Sequence, residues 1–425
     1  MDSTKRIPIA QLKLGMYIVG MDQPWYRTPF LLHKWLVSNP EDIAQLIRHG
    51  IREVTIDLER GLDVADEKMS AKSSAAPADS SETPVVELPP SGNDPDASPG
   101  EITGQPAAAA KAAYQEAMAA MERVFRDLEA GQSPNLVTLT HIVSGLVNRI
   151  LAHSESMMTQ FFLEKMRRYD RTLASHGMDV CVLALIVGVE YGCDEADRET
   201  LGVGALLHDL GYVRLPRNVY RKSTALTDHE KALMQQHPQL AATVLAQAEQ
   251  LPEAVNRIIA QHHEWLDGSG FPNKLKNGSI STLAQLVGVV DTYDGMVGAR
   301  HGRPPLLPHD AIRQLFVLGE KGCYDKALIE VAIKALGVYP IGSLIKLNTS
   351  ENAVVTGINH KDRLKPRIRI ISGPAGDVHK DPIDVDLTVT NPDEPTRTIL
   401  RALDPNQEHI DLPMYLETAV SGNQR

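Results

Sequence analysis

The spacing of apolar residues changes several times along the chain, and each change marks a candidate boundary. Residues 1–64 carry short strand-like runs, Ile7 to Leu12 and Met16 to Val19. Pro40 to His49 follows with helical spacing and a stop at Gly50, and Val54-Thr55-Ile56-Asp57 reads as a closing strand. This predicts a small α/β unit, with Trp25, Phe30 and Trp35 as an aromatic cluster in its core. Over residues 65–112 the periodicity disappears. Ala, Ser, Pro, Asp and Glu dominate, and Pro89-Pro90 and Pro95 interrupt any element, which predicts a disordered linker.

Residues 113–160 return to a helical period. Ala113 to Leu128 and Leu136 to Ala152 are the predicted helices, and Met118, Met121, Val124, Phe125 and Leu128 share one face. That face suits packing or a dimer contact. Residues 161–340 are helix-rich, with Met178 to Tyr191 and Glu199 to Leu207 as strongly apolar helices. Thr227 and Glu230 have capping-box spacing, and Pro238 after His237 suits the start of a helix. Beyond Pro340 the period falls to two. Ile341 to Leu347, Ala353 to Ile358, Arg367 to Ile370 and Ile383 to Val389 read as strands with one buried face, a β-rich extension over residues 341–425.

Composition narrows the function classes. The 425 residues, 43% hydrophobic and 23% charged, suit two or three globular domains. A net charge of −11 argues against a DNA or RNA partner, which usually meets a basic face. Cys181, Cys193 and Cys323 form no close metal-binding pair, and an odd number suits a reducing compartment. The run Val180 to Val189 falls short of the ~20 residues of a membrane span, and residues 1–20 lack the pattern of a signal peptide. The expectation is a cytoplasmic protein without a membrane span.

The chemistry concentrates at the ends of apolar segments. His208-Asp209 follows Ala205-Leu206-Leu207, and His262-His263 follows Ile258-Ile259. Asp291 follows the run Ala284 to Val290, while His176 and His237 are further candidates. A carboxylate at the edge of a buried stretch requires a partner or a metal. Mixed imidazole and carboxylate donors at several helix ends point to one buried metal centre. The turn Asp267-Gly268-Ser269-Gly270 beside it offers backbone that a ligand can approach closely.

These motifs resemble those of the HD-GYP domains, a bacterial branch of the HD phosphohydrolases associated with cyclic di-GMP hydrolysis. Leu206-Leu207-His208-Asp209-Leu210-Gly211 is similar to the family's LLHDIGK signature. His262-His263-Glu264 with Asp267-Gly268-Ser269-Gly270-Phe271-Pro272 resembles HHExxDGSGYP, and Val290-Asp291-Thr292-Tyr293-Asp294 fits a third element. Leu14-Gly15-Met16-Tyr17 and Pro24-Trp25 resemble a small domain often found before HD-GYP domains. The resemblance implies a mainly α, HD-type helical bundle between the N-terminal α/β unit and the β-rich extension.

It further implies two divalent ions, Fe or Mn: His176, His208, Asp209 and Asp291 on one, and His237, His262 and His263 on a second bridged by Asp209. Thr172 stands where trimetal members carry a glutamate, hence two ions and not three. A metal-bridging hydroxide would open cyclic di-GMP to pGpG and on to GMP, with Arg300, Arg303 and the Asp267–Gly270 turn on the substrate. Partners implied are cyclic di-GMP and GGDEF-domain proteins.

Two departures matter most. Tyr212 replaces the signature lysine thought to hold the scissile phosphate, with Arg214 as a candidate replacement charge. Phe271 replaces a tyrosine in the loop linked to partner docking. Three readings stay open: a phosphodiesterase, a metal-containing cyclic di-GMP receptor of weak or no activity, and a phosphohydrolase for another cyclic dinucleotide.

Overall fold

The computed structural model describes residues 4–22, 35–37, 40–48, 50–58, 60–62, 105–168, 172–245, 251–298, 302–390 and 395–421. The chain divides into two compact units, Met1–Ile102 and Thr103–Arg425.

The first unit holds β1 (Thr4–Pro8), β2 (Tyr17–Met21), β3 (Trp35–Leu36), α1 (Pro40–Arg48) and β4 (Glu53–Asp57), with an antiparallel sheet in the order β1-β4-β2-β3. Alternating residues Ile7, Ile18, Val54 and Ile56 turn inward and meet Leu46 of α1. The apolar run from Ile7 to Leu12 is not one strand. Pro8 has no N–H to extend the ladder, and the chain turns through Ile9–Gln11. Of the aromatic cluster, Trp25 and Phe30 lie outside the described residues, and Trp35 opens β3.

The second unit is an α-helical body carrying a sheet. Its helices are α2 (Gln105–Glu129), α3 (Leu136–Arg167), α4 (Leu173–Tyr191), α5 (Glu195–Leu207), α6 (Arg217–Tyr220), α7 (Asp228–Met234), α8 (His237–Leu245), α9 (Glu253–Gln261), α10 (Thr282–Val297), α11 (Pro308–Glu320) and α12 (Lys326–Leu336). α2 starts inside the stretch whose composition reads as linker, because Ala107–Ala110 combine low complexity with the highest helix propensity. Its apolar face is spent inside the unit: Met121, Val124, Phe125 and Leu128 are buried. α3 runs well beyond Ala152, with a break at His153 (φ −151°, ψ 64°).

α4 is the central element. It is apolar all round, every residue from Ala174 to Gly188 is buried, and α2, α3, α5, α10 and α12 pack against it. Length and composition alone would let α3 and α4 cross a membrane, but most of α4's apolar window is covered by its neighbours.

The remaining elements are β5 (Leu344–Leu347), β6 (Asn352–Gly357), β7 (Arg367–Ser372), β8 (Val378–Asp386), β9 (Ile399–Leu403) and α13 (Leu412–Ser421). The antiparallel sheet has the order β8-β7-β6-β5-β9. β7 is not a strand with one buried face, as its alternation suggests. Arg369 is buried too, because its guanidinium donates to both carboxylate oxygens of Asp384, at 2.7 and 2.6 Å, and to the carbonyl of Tyr415 in α13. A paired arginine can lie under a helix where an unpaired one could not.

Candidate metal centre

Four helix ends and the middle of a fifth helix converge on one point. His176 projects from the first turn of α4, and His208 and Asp209 end α5. His237 opens α8, His262 and His263 end α9, and Asp291 sits within α10. The approach is close enough to dictate glycines. A Cβ on Gly211 would overlap the carbonyl oxygen of His237, and one on Gly288 would overlap that of His262.

The donors fall into two groups, Asp209 with His237, His262 and His263, and His176 with His208 and Asp291. Asp209 lies between them. Its Oδ1 is 3.2 Å from His237 Nε2 and 3.9 Å from His262 Nε2. Its Oδ2 is 3.2 Å from His176 Nε2 and 3.5 Å from His208 Nε2. Asp291 Oδ1 is 3.0 Å from His176 Nε2, and Asp291 Oδ2 is 3.9 Å from His263 Nδ1. Six of these side chains are almost wholly buried, whereas His263 is 20% exposed and marks the open side.

The imidazole tautomers follow from their outer partners. His208 Nδ1 lies 2.7 Å from the carbonyl of Ala205, His237 Nδ1 2.8 Å from that of Met234, and His262 Nδ1 2.9 Å from that of Ile259. A carbonyl only accepts, so each Nδ1 carries the hydrogen and each Nε2 is left as a ligand. Nε2 of His237 and Nε2 of His262 then face each other at 3.2 Å. Burial holds both imidazoles neutral by lowering their pKa, so two lone pairs are in contact. A cation between donors of this kind removes the repulsion. The residues fit a divalent metal.

The charges agree. Burial would raise the carboxyls of Asp209 and Asp291, but the surrounding histidines outweigh it and hold both well below the usual range. Burial opposes charge on His208 as well, yet Asp209 and Asp291 push it up to about 10. His263 is lowered to about 3 by burial and by His237.

The other residues singled out in the sequence sit as follows. Tyr212 is buried and stacks on His237, ring centroids 4.2 Å apart, within an apolar cluster with Leu215, Val219 and Met234. Arg214 is exposed. Asp267 accepts from the Ser269 N–H (2.8 Å) and hydroxyl (2.7 Å), and Gly268 takes a φ of +80°. Gly270 seats against the backbone of His263 to Trp265, which leaves no room for a side chain. The turn is therefore engaged within itself. Phe271 lies 4.4 Å from His263, ring centre to ring centre. Arg303 is exposed and donates to the carbonyl of Gly295 at 2.6 Å; Arg300 lies outside the described residues.

Two positions carry more than their motifs disclose. Buried Glu264 accepts from the N–H of Asn273 (2.6 Å) and of Leu275 (2.9 Å), which ties down the Asp267–Gly270 turn. Buried Asp294 lies 3.0 Å from His176 Nδ1 and pairs with Lys165. Glu264 and Asp294 stand within the quoted motifs, so the signal was present. Lys165, 129 residues from Asp294, had none.

Comparison with known proteins gives a consistent result. Residues 146–328 match the family described as HD domain, and residues 4–138 match a domain of unknown function, DUF3391. The chain is 28% identical over 368 residues to Cyclic di-GMP phosphodiesterase PA4108 of Pseudomonas aeruginosa, covering 86% of this chain and 84% of that protein. It is 31% identical over 214 residues to a cyclic di-GMP phosphodiesterase of Vibrio cholerae, covering 49% of this chain and 42% of that one. A solved structure, Bd1817, an HDG"Y"P protein from Bdellovibrio bacteriovorus, aligns at 18% identity and a TM-score of 0.44 over 77% of this chain and 98% of its own.

Proposed function

We propose that this chain, an HD-domain protein with a DUF3391 domain ahead of it, is a metal-dependent phosphodiesterase that hydrolyses cyclic di-GMP. The observation that carries the chemistry is the single carboxylate of Asp209, one oxygen turned to His237 and His262 and the other to His176 and His208. One carboxylate shared by two sets of nitrogen donors supports two ions, and the imidazole-rich, oxygen-containing set suits Fe or Mn. Bound there, such metals supply an acidified water and neutralise phosphodiester charge.

The chain's own groups do the rest. Asp209 and Asp291 stay ionised and His237, His262 and His263 stay neutral at neutral pH, while His208, pushed up to about 10 by Asp209 and Asp291, gives up a proton on becoming a ligand. The half-buried edge at His263 and Phe271 is where a dinucleotide can reach the buried donors. Arg300 and Arg303 are proposed to meet its phosphate charge, and the Phe271 loop to meet a GGDEF-domain partner. The three buried free thiols support a reducing, cytoplasmic setting. Tyr212, stacked in an apolar cluster, favours slow turnover, with the receptor as its limit.

The test is a product assay on protein of known metal content, incubated with cyclic di-GMP beside an Asp209→Ala variant. Appearance of pGpG or GMP that depends on Asp209 is the expected result. Intact substrate recovered from metal-filled protein would overturn hydrolysis and leave the receptor.

A further inference from the structure

Asp294 poses a question that its neighbours answer. Its carboxylate is fully buried, and one oxygen holds His176 Nδ1, which leaves a charge requiring a second partner. That partner is Lys165, near the end of α3. The next residue, Met166, places Cε over Gly342, just ahead of β5 and beside Leu416 of α13. The one after it, Arg167, pairs with Glu417 of α13. Successive helix residues point about 100° apart, so one turn of α3 reaches the metal centre with one side chain and the C-terminal module with the next two. Further back, just past the break at His153, the same stretch of α3 is held by the same module, where Glu155 pairs with Arg367 of β7 and accepts from the N–H of Ile358.

We infer that Lys165 is a positioning residue for His176, acting through Asp294, and that the C-terminal sheet and α13 set its place by gripping the last turns of α3. The β-rich module is thereby a brace on the metal centre, and a ligand or partner that moved it would alter metal retention without touching the donors. Outer partners of a ligating histidine fix its orientation, and their loss commonly weakens metal binding by about 10–100-fold.

The inference rests on the metal reading above, and manganese binding to the full-length, metal-stripped protein separates the two. The parent chain, Lys165→Met, Lys165→Arg, Met166→Ala and the Lys165→Met/Met166→Ala double variant are titrated with Mn(II) and followed by electron paramagnetic resonance. Lys165→Met is expected to raise the weaker Kd by about 10–100-fold, and Lys165→Arg to restore most of it. Met166→Ala is expected to raise it severalfold alone and to add nothing on top of Lys165→Met, as for residues acting in series. If Lys165→Met unfolds the chain, Lys165→Gln takes its place in the cycle with the same expectation. Binding by the Lys165 variants as tight as the parent's overturns the positioning role. A Met166→Ala effect that is absent, or undiminished in the double variant, overturns the brace. A parent chain that takes up neither manganese nor, by metal analysis after reconstitution, iron refutes the metal reading instead.

Discussion

His176, His208, His237 and His262 each have one nitrogen committed outward and one inward, so single atoms decide the chemistry. His208, pushed up to about 10 between two carboxylates, holds a proton at pH 8 in the metal-free chain and must release it to become a ligand. Because its pKa lies above the ordinary value, that proton contributes stability fully below about pH 6.5, and the contribution is lost as pH rises through about 10. Metal binding at pH 8 is therefore expected to release about one proton, read as a dependence of calorimetric heat on buffer ionisation enthalpy. No dependence would show that His208 is already neutral. Tyr212 is a packing residue in this geometry. Tyr212→Phe is expected to leave turnover within about twofold, whereas Tyr212→Ala should cost about 3–5 kcal/mol in denaturant unfolding and loosen His237. A large loss of turnover in the Phe variant would instead give the hydroxyl a role in the reaction.

At the scale of elements, helix ends bear the function, and what starts or stops a helix matters as much as the donors. Thr172 caps α4: its side chain accepts from the Ser175 N–H at 3.1 Å, and the Ser175 hydroxyl oxygen accepts from the Thr172 N–H at 3.0 Å. The position that lacks a carboxylate for a third metal is thus used to start the helix that delivers His176. Thr172→Ala is expected to lower stability by about 1 kcal/mol, measured by chemical denaturation, with a weaker hold on metal. Unchanged stability would mean that the cap is replaced by water. Gly211 does the corresponding work between α5 and α8. Gly211→Ala is expected to cost about 1–3 kcal/mol by overpacking against His237, visible as a lower melting temperature.

At the scale of the molecule, two compact units share one chain, and only Thr103–Arg425 contains the donors. A ligand that binds only the folded state stabilises it by about 2.7 kcal/mol at a concentration one hundred times its Kd. Chelation is therefore expected to lower the melting transition of the helical unit by roughly 5 °C, while a transition from the N-terminal unit stays in place. Calorimetry with and without chelator checks this. A shift of both transitions by the same amount would mean that the units unfold together.

The sequence by itself determined the local features, because caps, turns and amphipathic periods depend on residues a few positions apart. The Thr227 capping box, the apolar helix through Met178 to Tyr191 and the candidate donors that close apolar runs, His208, Asp209, His262, His263 and Asp291, are legible in this way, whereas the place of His176 and His237 beside them came from the resemblance. Its limits had the same cause. β9 and α13 carry no strong local period, and the buried Arg369 could not be told from a solvated one until Asp384 and Tyr415 met it. Only tertiary structure decided that α4 is enclosed by other helices, that Tyr212 lies on His237, and that Lys165 completes the charge on Asp294. Such contacts join residues far apart along the chain, and the energy of a buried charge depends on its partner in space.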